Sequence, residues 1–309
     1  MKCNKCEKQA VYTRKYSGEN LCANCFSNSI LRKTAKTISK YNMIKNDQLV
    51  CVGVSGGKDS LALLYILSQM AKTHNFQIIA VTIDEGIPGY RDEALDIVKN
   101  FCTKLDVKYV VYSYDDIFDL TLDEALTLRN GSKTTSCSIC GTLRRRALDY
   151  AAKKVGGNII ATAHNLDDNL QTFLINMLSG DTNKIGWMDP DSSSTNNDDN
   201  NIRRIKPFCE IYESELVFFA FINEIPFQAE SCPHMNEGIR TELREFLNSL
   251  EENHSGIKNN LFKSTLKVSQ IIKNTNYKQK ITCSNCGNQC TGNICSVCNM
   301  ILKLKENQP

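Results

Sequence analysis

Three sets of residues in this 309-residue chain have types and spacings that suit chemistry. The first is Ser55-Gly56-Gly57-Lys58-Asp59-Ser60, between the apolar run Leu49-Val50-Cys51-Val52-Gly53-Val54 and a helical pattern that begins at Leu61. A strand, a glycine turn and a helix start meet at this point. Backbone N–H groups and the positive end of a helix dipole therefore converge on one place, where an anion is the expected guest. Lys58 adds a mobile point charge. A nucleotide phosphate is the natural occupant; the plainer alternative is a glycine turn that opens a helix and binds nothing. An ordinary phosphate-binding G-x-x-x-x-G-K-[ST] loop would need Gly at 52 and Ser or Thr at 59, and the chain has Val52 and Asp59. That argues against a kinase or a GTPase.

The second set is eight of the fifteen cysteines. Cys3, Cys6, Cys22 and Cys25 form C-x2-C-x15-C-x2-C, and Cys283, Cys286, Cys295 and Cys298 form C-x2-C-x8-C-x2-C. Each pair of knuckles offers the four thiolates of a tetrahedral zinc site and leaves no open position for catalysis, so both are expected to be structural. Zinc would supply folding energy to segments too short to build their own cores. The rival is two disulfides per module, which a reducing compartment disfavours. Cys290 lies inside the second module but off its spacing and reads as a spare thiol.

The third set is Cys137 and Cys140, in Thr135-Ser136-Cys137-Ser138-Ile139-Cys140-Gly141, with Cys232 in Ser231-Cys232-Pro233. A lone C-x-x-C suits a redox pair, or two ligands of a site whose third ligand comes from far away. Spacing alone does not bring Cys232 to Cys137. The remaining Cys51, Cys102 and Cys209 sit in apolar or helical patterns and read as small buried hydrophobes.

Alternating patterns supply the elements that must hold these residues. Strands are expected at 49–54, 77–83, 108–112 and 158–163, with a last strand or edge led by 206–208. Helices are expected at 60–72, 91–105, 116–128, 141–154, from a cap at Asp167 to Gly180, at 213–224, 237–252 and 258–272. Such alternation implies an α/β fold with a doubly wound, mostly parallel sheet. Residues 1–28 form an N-terminal zinc module and 29–45 a basic linking helix. The catalytic domain covers 29–275, and 276–309 form a C-terminal zinc module. The polar stretch 189–201 reads as a surface loop. In an open α/β sheet, ligands bind beyond the carboxyl ends of the strands. Ser55–Ser60, Asp84-Glu85 and His164-Asn165-Leu166-Asp167-Asp168 all fall there. His164 could equally be an ordinary histidine, and Asp168 a first-turn helix residue favoured by the dipole.

Composition sets outer bounds. Hydrophobic content of 41% with 23% charged residues describes a soluble globular protein. No run of 18 apolar residues suggests a membrane span, and Met1-Lys2-Cys3-Asn4-Lys5-Cys6 has no signal-peptide core, so the expected location is the cytoplasm. Net charge is only +3, so nucleic-acid contact would rest on local clusters: Arg144-Arg145-Arg146, Arg203-Arg204 with Lys206, and 32–45. Arg145 and Arg146 read alternatively as a solvated basic turn.

SGGKDS resembles the PP-loop of the ATP pyrophosphatase superfamily, whose members cut ATP between its α- and β-phosphates and adenylylate a substrate. With the N-terminal double knuckle, CxxCG followed by RRRAL, ATAHNLDD, SCPH and the C-terminal double knuckle, nearly the whole chain resembles tRNA-uridine 2-thiolation enzymes of the TtuA/NcsA type. The zinc modules favour this branch over the related cytidine thiolase TtcA, and they argue against lysidine, GMP and asparagine synthetases. The resemblance implies that Cys137, Cys140 and Cys232 hold a [4Fe–4S] cluster, leaving one iron without a protein ligand to present hydrosulfide. A persulfide and disulfide pair is the other view of these cysteines.

By the same resemblance, ATP and Mg²⁺ bind against Gly53, Val54, Ser55, Gly56, Gly57, Lys58, Asp59, Ser60, Ile83, Asp84, Arg144, His164 and Asp168. Asp59 or Asp84 would hold Mg²⁺. Uridine O2 would attack the α-phosphate, with Lys58 stabilising charge and Asp168 orienting or deprotonating the uridine; sulfur would then replace the activated oxygen as AMP leaves. Part of the family has Lys four residues after the second cysteine. Here that residue is Arg144, which can clamp an ATP or tRNA phosphate but cannot serve as a general base. The implied partners are tRNA, a second copy of the chain, and a sulfur donor, either sulfide or a ubiquitin-like carrier. The target is expected at wobble position 34. The alternatives are position 54, or a catalytically inactive zinc-dependent RNA-binding adaptor.

Overall fold

The computed structural model describes residues 1–129, 134–188, 190, 202–234, 239–275 and 281–306. The expected loop 189–201 lies outside these residues except for Pro190, as does the expected helix start at Glu237.

The chain opens with a small antiparallel ribbon, β1 (Tyr12–Arg14) and β2 (Glu19–Leu21), followed by α1 (Ala23–Lys40). The linking helix thus begins inside the first module, with Cys22 as its N-cap. Alternation then brings β3 (Gln48–Gly53), α2 (Lys58–Ala71), β4 (Phe76–Asp84), α3 (Tyr90–Leu105) and β5 (Tyr109–Ser113). The expected helix at 116–128 is instead two short ones, α4 (Tyr114–Phe118) and α5 (Leu122–Thr127), split where Asp119 takes a left-handed conformation (φ 52°). Then come α6 (Ser136–Lys154), β6 (Ile159–Ala161), α7 (Leu166–Leu178), α8 (Thr182–Gly186) and β7 (Arg203–Ile205). The last strand therefore precedes Lys206 rather than following it. Helices α9 (Glu213–Ile222), α10 (Arg240–Asn253) and α11 (Ile257–Thr275) complete the body, and β8 (Ile281–Thr282), β9 (Gln289–Cys290) and α12 (Ser296–Glu306) form the end.

The central sheet has the order β5-β4-β3-β6-β7 and is parallel throughout. The chain winds outward from β3 through β4 to β5, then returns to lay β6 on the other side of β3. The order reverses between β3 and β6, and that switch point opens a crevice at the carboxyl ends of both strands. Alternation along β3 divides the core: Val50 and Val52 enter one apolar cluster and Cys51 the other. Cys51, Cys102 and Cys209 are all buried, as expected of small hydrophobes.

The two four-cysteine modules pack with opposite clusters: Cys3, Leu21 and Cys22 with the first, and Cys283, Cys295 and Cys298 with the second. The N-terminal module is anchored by Glu215 of α9, which is 1% exposed. Glu215 Oε1 accepts from Arg14 Nε at 2.6 Å and from the Tyr16 hydroxyl at 2.9 Å, and Oε2 accepts from Lys33 Nζ at 3.0 Å. A buried carboxylate with three donors is satisfied in place, whereas one that lost a partner would be costly.

Candidate functional site

The loop after β3 is laced by its own hydroxyls. Ser60 Oγ donates to Gly57 O at 2.9 Å and accepts from Ser55 N at 3.1 Å. Gly56 has φ +87°, and a Cβ there would lie 2.8 Å from Ala94 Cβ on α3, so only glycine allows this turn. Its carbonyl accepts from Gln228 N at 3.1 Å. Gly57, the N-cap of α2, makes no side-chain capping bond. The helix therefore begins without the usual side-chain partner for its first amides.

Lys58 Nζ lies 3.1 Å from Glu213 Oε1 and 3.3 Å from Asp59 Oδ2. Burial opposes its charge, but the two carboxylates outweigh this and raise its pKa. Burial pushes the Asp59 carboxyl up to about 6; Lys58 pulls it back, while Asp168 and Glu213 add to the rise. Asp59 Oδ2 accepts from Asn165 Nδ2 at 3.4 Å, whereas Oδ1 is buried with no hydrogen-bond partner. An orphaned buried carboxylate oxygen beside a phosphate loop fits a hard cation such as Mg²⁺.

The end of β6 brings the second polar cluster alongside. Asn165 and Asp168 form a reciprocal capping box for α7, with Asp168 N donating to Asn165 Oδ1 at 3.0 Å and Asn165 N to Asp168 Oδ2 at 3.1 Å. Asn165, not Asp167, is the cap. Burial raises the Asp168 carboxyl. Asp167 turns inward, accepting from Glu213 N at 2.8 Å and pairing with Lys258 Nζ, and so fixes the start of α9. His164 Nδ1 meets Thr162 Oγ1 at 2.9 Å. Desolvation by the surrounding protein, then the charges of Lys206, Arg240, Arg145 and Arg144, push this imidazole down to about 3. Its ring still meets solvent, but the neighbouring cations act in the same direction, so it is neutral at physiological pH. Asp84 Oδ1 accepts from Gly86 N at 2.9 Å, and the Ile83 carbonyl accepts from Arg91 at 2.6 Å.

The C-x-x-C occupies the first turns of α6, capped by Thr135. Cys137 is exposed and Cys140 buried. The Tyr114 hydroxyl donates to Cys140 O at 2.8 Å, and Arg144 donates to Cys140 Sγ at 3.1 Å. Burial pushes the Cys140 thiol up, and Arg144 pulls against it. Cys137 Sγ lies 4.0 Å from the carbonyl of His234, two residues past Cys232, so the segment carrying Cys232 runs beside this helix start. Cys232 is half-buried and packs against the same apolar cluster that contains Cys140. These three thiols do not close to the 4.8 Å mutual spacing of the terminal sets. Their chemistry, three thiols, is the donor type that iron–sulfur clusters take.

Glu85, 2% exposed, stands between the two centres. Its Oε2 lies 2.8 Å from Arg91 Nε, and its Oε1 lies 2.8 Å from Arg144 Nε. Arg91 and Glu213 were not named as site residues from sequence, and Glu85 was named only with Asp84, as a polar cluster at a strand end with no role of its own. Arg144, expected on a phosphate, is engaged by this carboxylate and the Cys140 thiol.

In the terminal modules, each set of four thiols lies within 4.8 Å. Backbone amides donate to them, Lys5 N to Cys3 Sγ at 3.4 Å and Cys295 N to Cys283 Sγ at 3.2 Å, which favours thiolates and fits zinc. Arg146, expected in a basic cluster for nucleic acid or, alternatively, in a solvated turn, donates from α6 to Cys286 Sγ and Cys295 Sγ, both at 3.3 Å. Among the described residues no helix is long and apolar enough to cross a membrane.

Comparison with known proteins agrees with this geometry. Residues 27–251 match the family model of the PP-loop domain, and residues 2–27 match that of the N-terminal LIM domain of 2-thiouridine synthetase TtuA. A probable sulfurtransferase of Methanocaldococcus jannaschii is 36% identical, over 97% of this chain and 87% of that protein. The cytoplasmic tRNA 2-thiolation protein 1 of Laccaria bicolor is 31% identical, over 98% of this chain and 86% of its own. The solved U34-tRNA thiolase NcsA of Methanococcus maripaludis, with its [4Fe–4S] cluster, superimposes with a TM-score of 0.85 at 30% identity, covering 97% of this chain and 95% of that one. The chain belongs to the TtuA/NcsA-type family of PP-loop tRNA thiolases.

Proposed function

We propose that this protein makes 2-thiouridine at wobble position 34 of tRNA in the cytoplasm, consuming ATP and releasing AMP and pyrophosphate. The observation that carries this reading is the row of linked side chains Arg91–Glu85–Arg144, which joins the Ser55–Ser60 loop to Cys140 of α6, with the segment that carries Cys232 beside that helix start. Arg91, Glu85 and Arg144 stand between the two. The full-length likeness to a U34-tRNA thiolase supports the choice of position.

The loop amides and Lys58 hold the ATP phosphates and stabilise charge that develops on them. For Lys58 this means exchanging part of its pairing with Glu213 for phosphate. Asp59 holds Mg²⁺ through the oxygen that lacks a partner. Uridine O2 bonds to the α-phosphorus as the bond to the β-phosphate oxygen breaks, releasing pyrophosphate. The adenylylated oxygen is then a good leaving group, and it departs as AMP when sulfur bonds to C2. Asp168, raised by burial and fixed by its capping box, orients the uridine or takes its proton. When bound on Cys137, Cys140 and Cys232, a [4Fe–4S] cluster supplies an iron without a protein ligand, where a sulfur nucleophile can be held. The target base must leave its stack to reach the crevice. The terminal zinc modules and basic clusters grip the tRNA, and the donor is sulfide or a ubiquitin-like carrier thiocarboxylate. The working unit is a homodimer.

The test is anaerobic reconstitution with tRNA, ATP and sulfide, followed by nucleoside mapping. The expected products are 2-thiouridine at position 34 with equal amounts of AMP and pyrophosphate. ADP with phosphate would refute adenylylation, and thiolation at position 54 would refute the assigned target. An iron-replete protein that binds tRNA but never turns ATP into AMP would be an adaptor instead.

A further inference from the structure

We propose that Glu85 is a positioning residue that holds the nucleotide loop and the cysteine site in one register, through Arg91 on one side and Arg144 on the other. The inference rests on the reading that Ser55–Ser60 takes ATP and that Cys140 is a cluster ligand.

Each oxygen of the Glu85 carboxylate serves a different guanidinium, at 2.8 Å in both cases. Arg91 is buried and spends its other two nitrogens on backbone carbonyls. One donates to Ser55 O at 2.8 Å, in the loop, and one to Ile83 O at 2.6 Å, at the end of β4. Arg144 presents its Nε to Glu85 and another nitrogen to Cys140 Sγ at 3.1 Å. Charge contacts and hydrogen bonds therefore link Ser55 O through Arg91, Glu85 and Arg144 to the Cys140 thiol, with Arg91 Nε meeting Glu85 as an ion pair and left without a hydrogen-bond partner. The Glu85 backbone is fixed as well, because its carbonyl accepts from Leu122 N at 2.8 Å.

The charges explain why a carboxylate stands here. Two guanidiniums and one carboxylate leave a net positive charge, and a Cys140 thiolate neutralises it. Without Glu85 the two cations would face each other across a buried gap. The Arg144 side chain is 45% exposed and can swing to solvent, whereas that of Arg91, at 5%, cannot. Loss of Glu85 should release Arg144 from the thiol and leave Arg91 uncompensated beneath the loop. A planar fork is required at Arg144, because one side chain must meet a carboxylate and a thiolate in fixed directions.

The experiment compares wild type, Glu85→Gln and Arg144→Gln as full-length, zinc-loaded protein. Affinity for a non-hydrolysable ATP analogue is measured by calorimetry before and after cluster loading. The midpoint potential of the loaded cluster is measured by anaerobic titration. Glu85→Gln is expected to weaken analogue binding about tenfold even without the cluster, as Arg91 loses the carboxylate that balances its charge beneath the loop. It should also shift the midpoint potential negative, because a cationic donor to a cluster thiolate is lost. Arg144→Gln should reproduce the potential shift and leave analogue affinity within the error of wild type.

Wild-type affinity and wild-type potential in Glu85→Gln would overturn the proposal, even if the melting temperature fell, since that is the signature of a merely structural ion pair. If Glu85→Gln does not fold, Glu85→Asp keeps the charge with a shorter reach; it must lose either the affinity or the potential, and keeping both overturns the proposal. Wild type that bound no analogue or held no iron would overturn the functional reading itself, and the positioning role with it.

Discussion

Arg146 offers the sharpest test of how the carboxyl-terminal module is held. Its guanidinium reaches from α6 to two of the four thiols, Cys286 and Cys295, at 3.3 Å each. Four thiolates around one Zn²⁺ carry a net charge of about −2, by simple charge counting. A guanidinium donating two bonds offsets half of that while fixing the orientation of both sulfurs. Arg146→Met keeps most of the apolar stem and removes both donors. Losing an outer partner of a metal site costs about 10- to 100-fold in metal affinity, or about 1.4–2.8 kcal/mol. The assay is competition with a chromogenic chelator. The amino-terminal site serves as an internal control, since no contact of Arg146 reaches Cys3, Cys6, Cys22 or Cys25 among those described. In zinc-loaded protein, one of the two ions should become easier to remove, and amide exchange should speed up along α6, including the turns that carry Cys137 and Cys140. Two zinc ions released with wild-type affinities would refute the reasoning.

Four further outcomes follow from the geometry. Gly56→Ala forces a Cβ to 2.8 Å from Ala94 Cβ at φ +87°; left-handed strain of about 1–2 kcal/mol plus overpacking of about 1–3 kcal/mol should appear in urea unfolding, with ATP turnover lost. Gly57→Ala, which meets only Ser55 Oγ at 3.6 Å, should cost about 0.5 kcal/mol or less. Asp59→Asn should stabilise the nucleotide-free protein while abolishing turnover. Burial raises this carboxyl from 3.8 to about 6, so folding disfavours its ionised form. The penalty is absent below the unfolded pKa, grows through that interval, and is complete above it. The gain should therefore be on the order of 2–3 kcal/mol at pH 7.5 and vanish in acid, as read by denaturant titration at both pH values. Lys258→Met leaves the buried Asp167 carboxylate without its cation, and should cost about 3–5 kcal/mol in the same assay. A smaller loss would mean that the remaining bond from Glu213 N suffices.

Local patterns in the sequence marked the loop, the sheet and the cysteine sets because each rests on close neighbours. Gly56 and Gly57 follow an apolar run, and the knuckles recur at fixed spacing. The split of the helix at 116–128 was legible too, in two capping boxes, Ser113 with Asp116 and Thr121 with Glu124, but continuous apolar spacing overrode them. Thr135 as the cap of α6 was a similar signal, masked by a run of small polar residues. The last strand was misplaced because Arg203 and Arg204 suit solvent, and an edge strand tolerates charge that an interior one does not. What had no local signature was pairing at a distance. Lys58 meets Glu213 across 155 residues and Arg146 meets Cys295 across 149, and no periodicity encodes either.

The anchor of the amino-terminal module also bears on how the chain matures. Arg14 meets Glu215 across 201 residues. On a ribosome adding about 5–20 residues each second, the interval between the two is about 10–40 s. During that time Arg14, Tyr16 and Lys33 have no partner in α9, and the first module must hold its shape by itself. Zinc held by Cys3, Cys6, Cys22 and Cys25 would do so, and its capture would then fall during synthesis, ahead of docking. With zinc in that role, a shortage of it would cost nascent chains rather than finished protein.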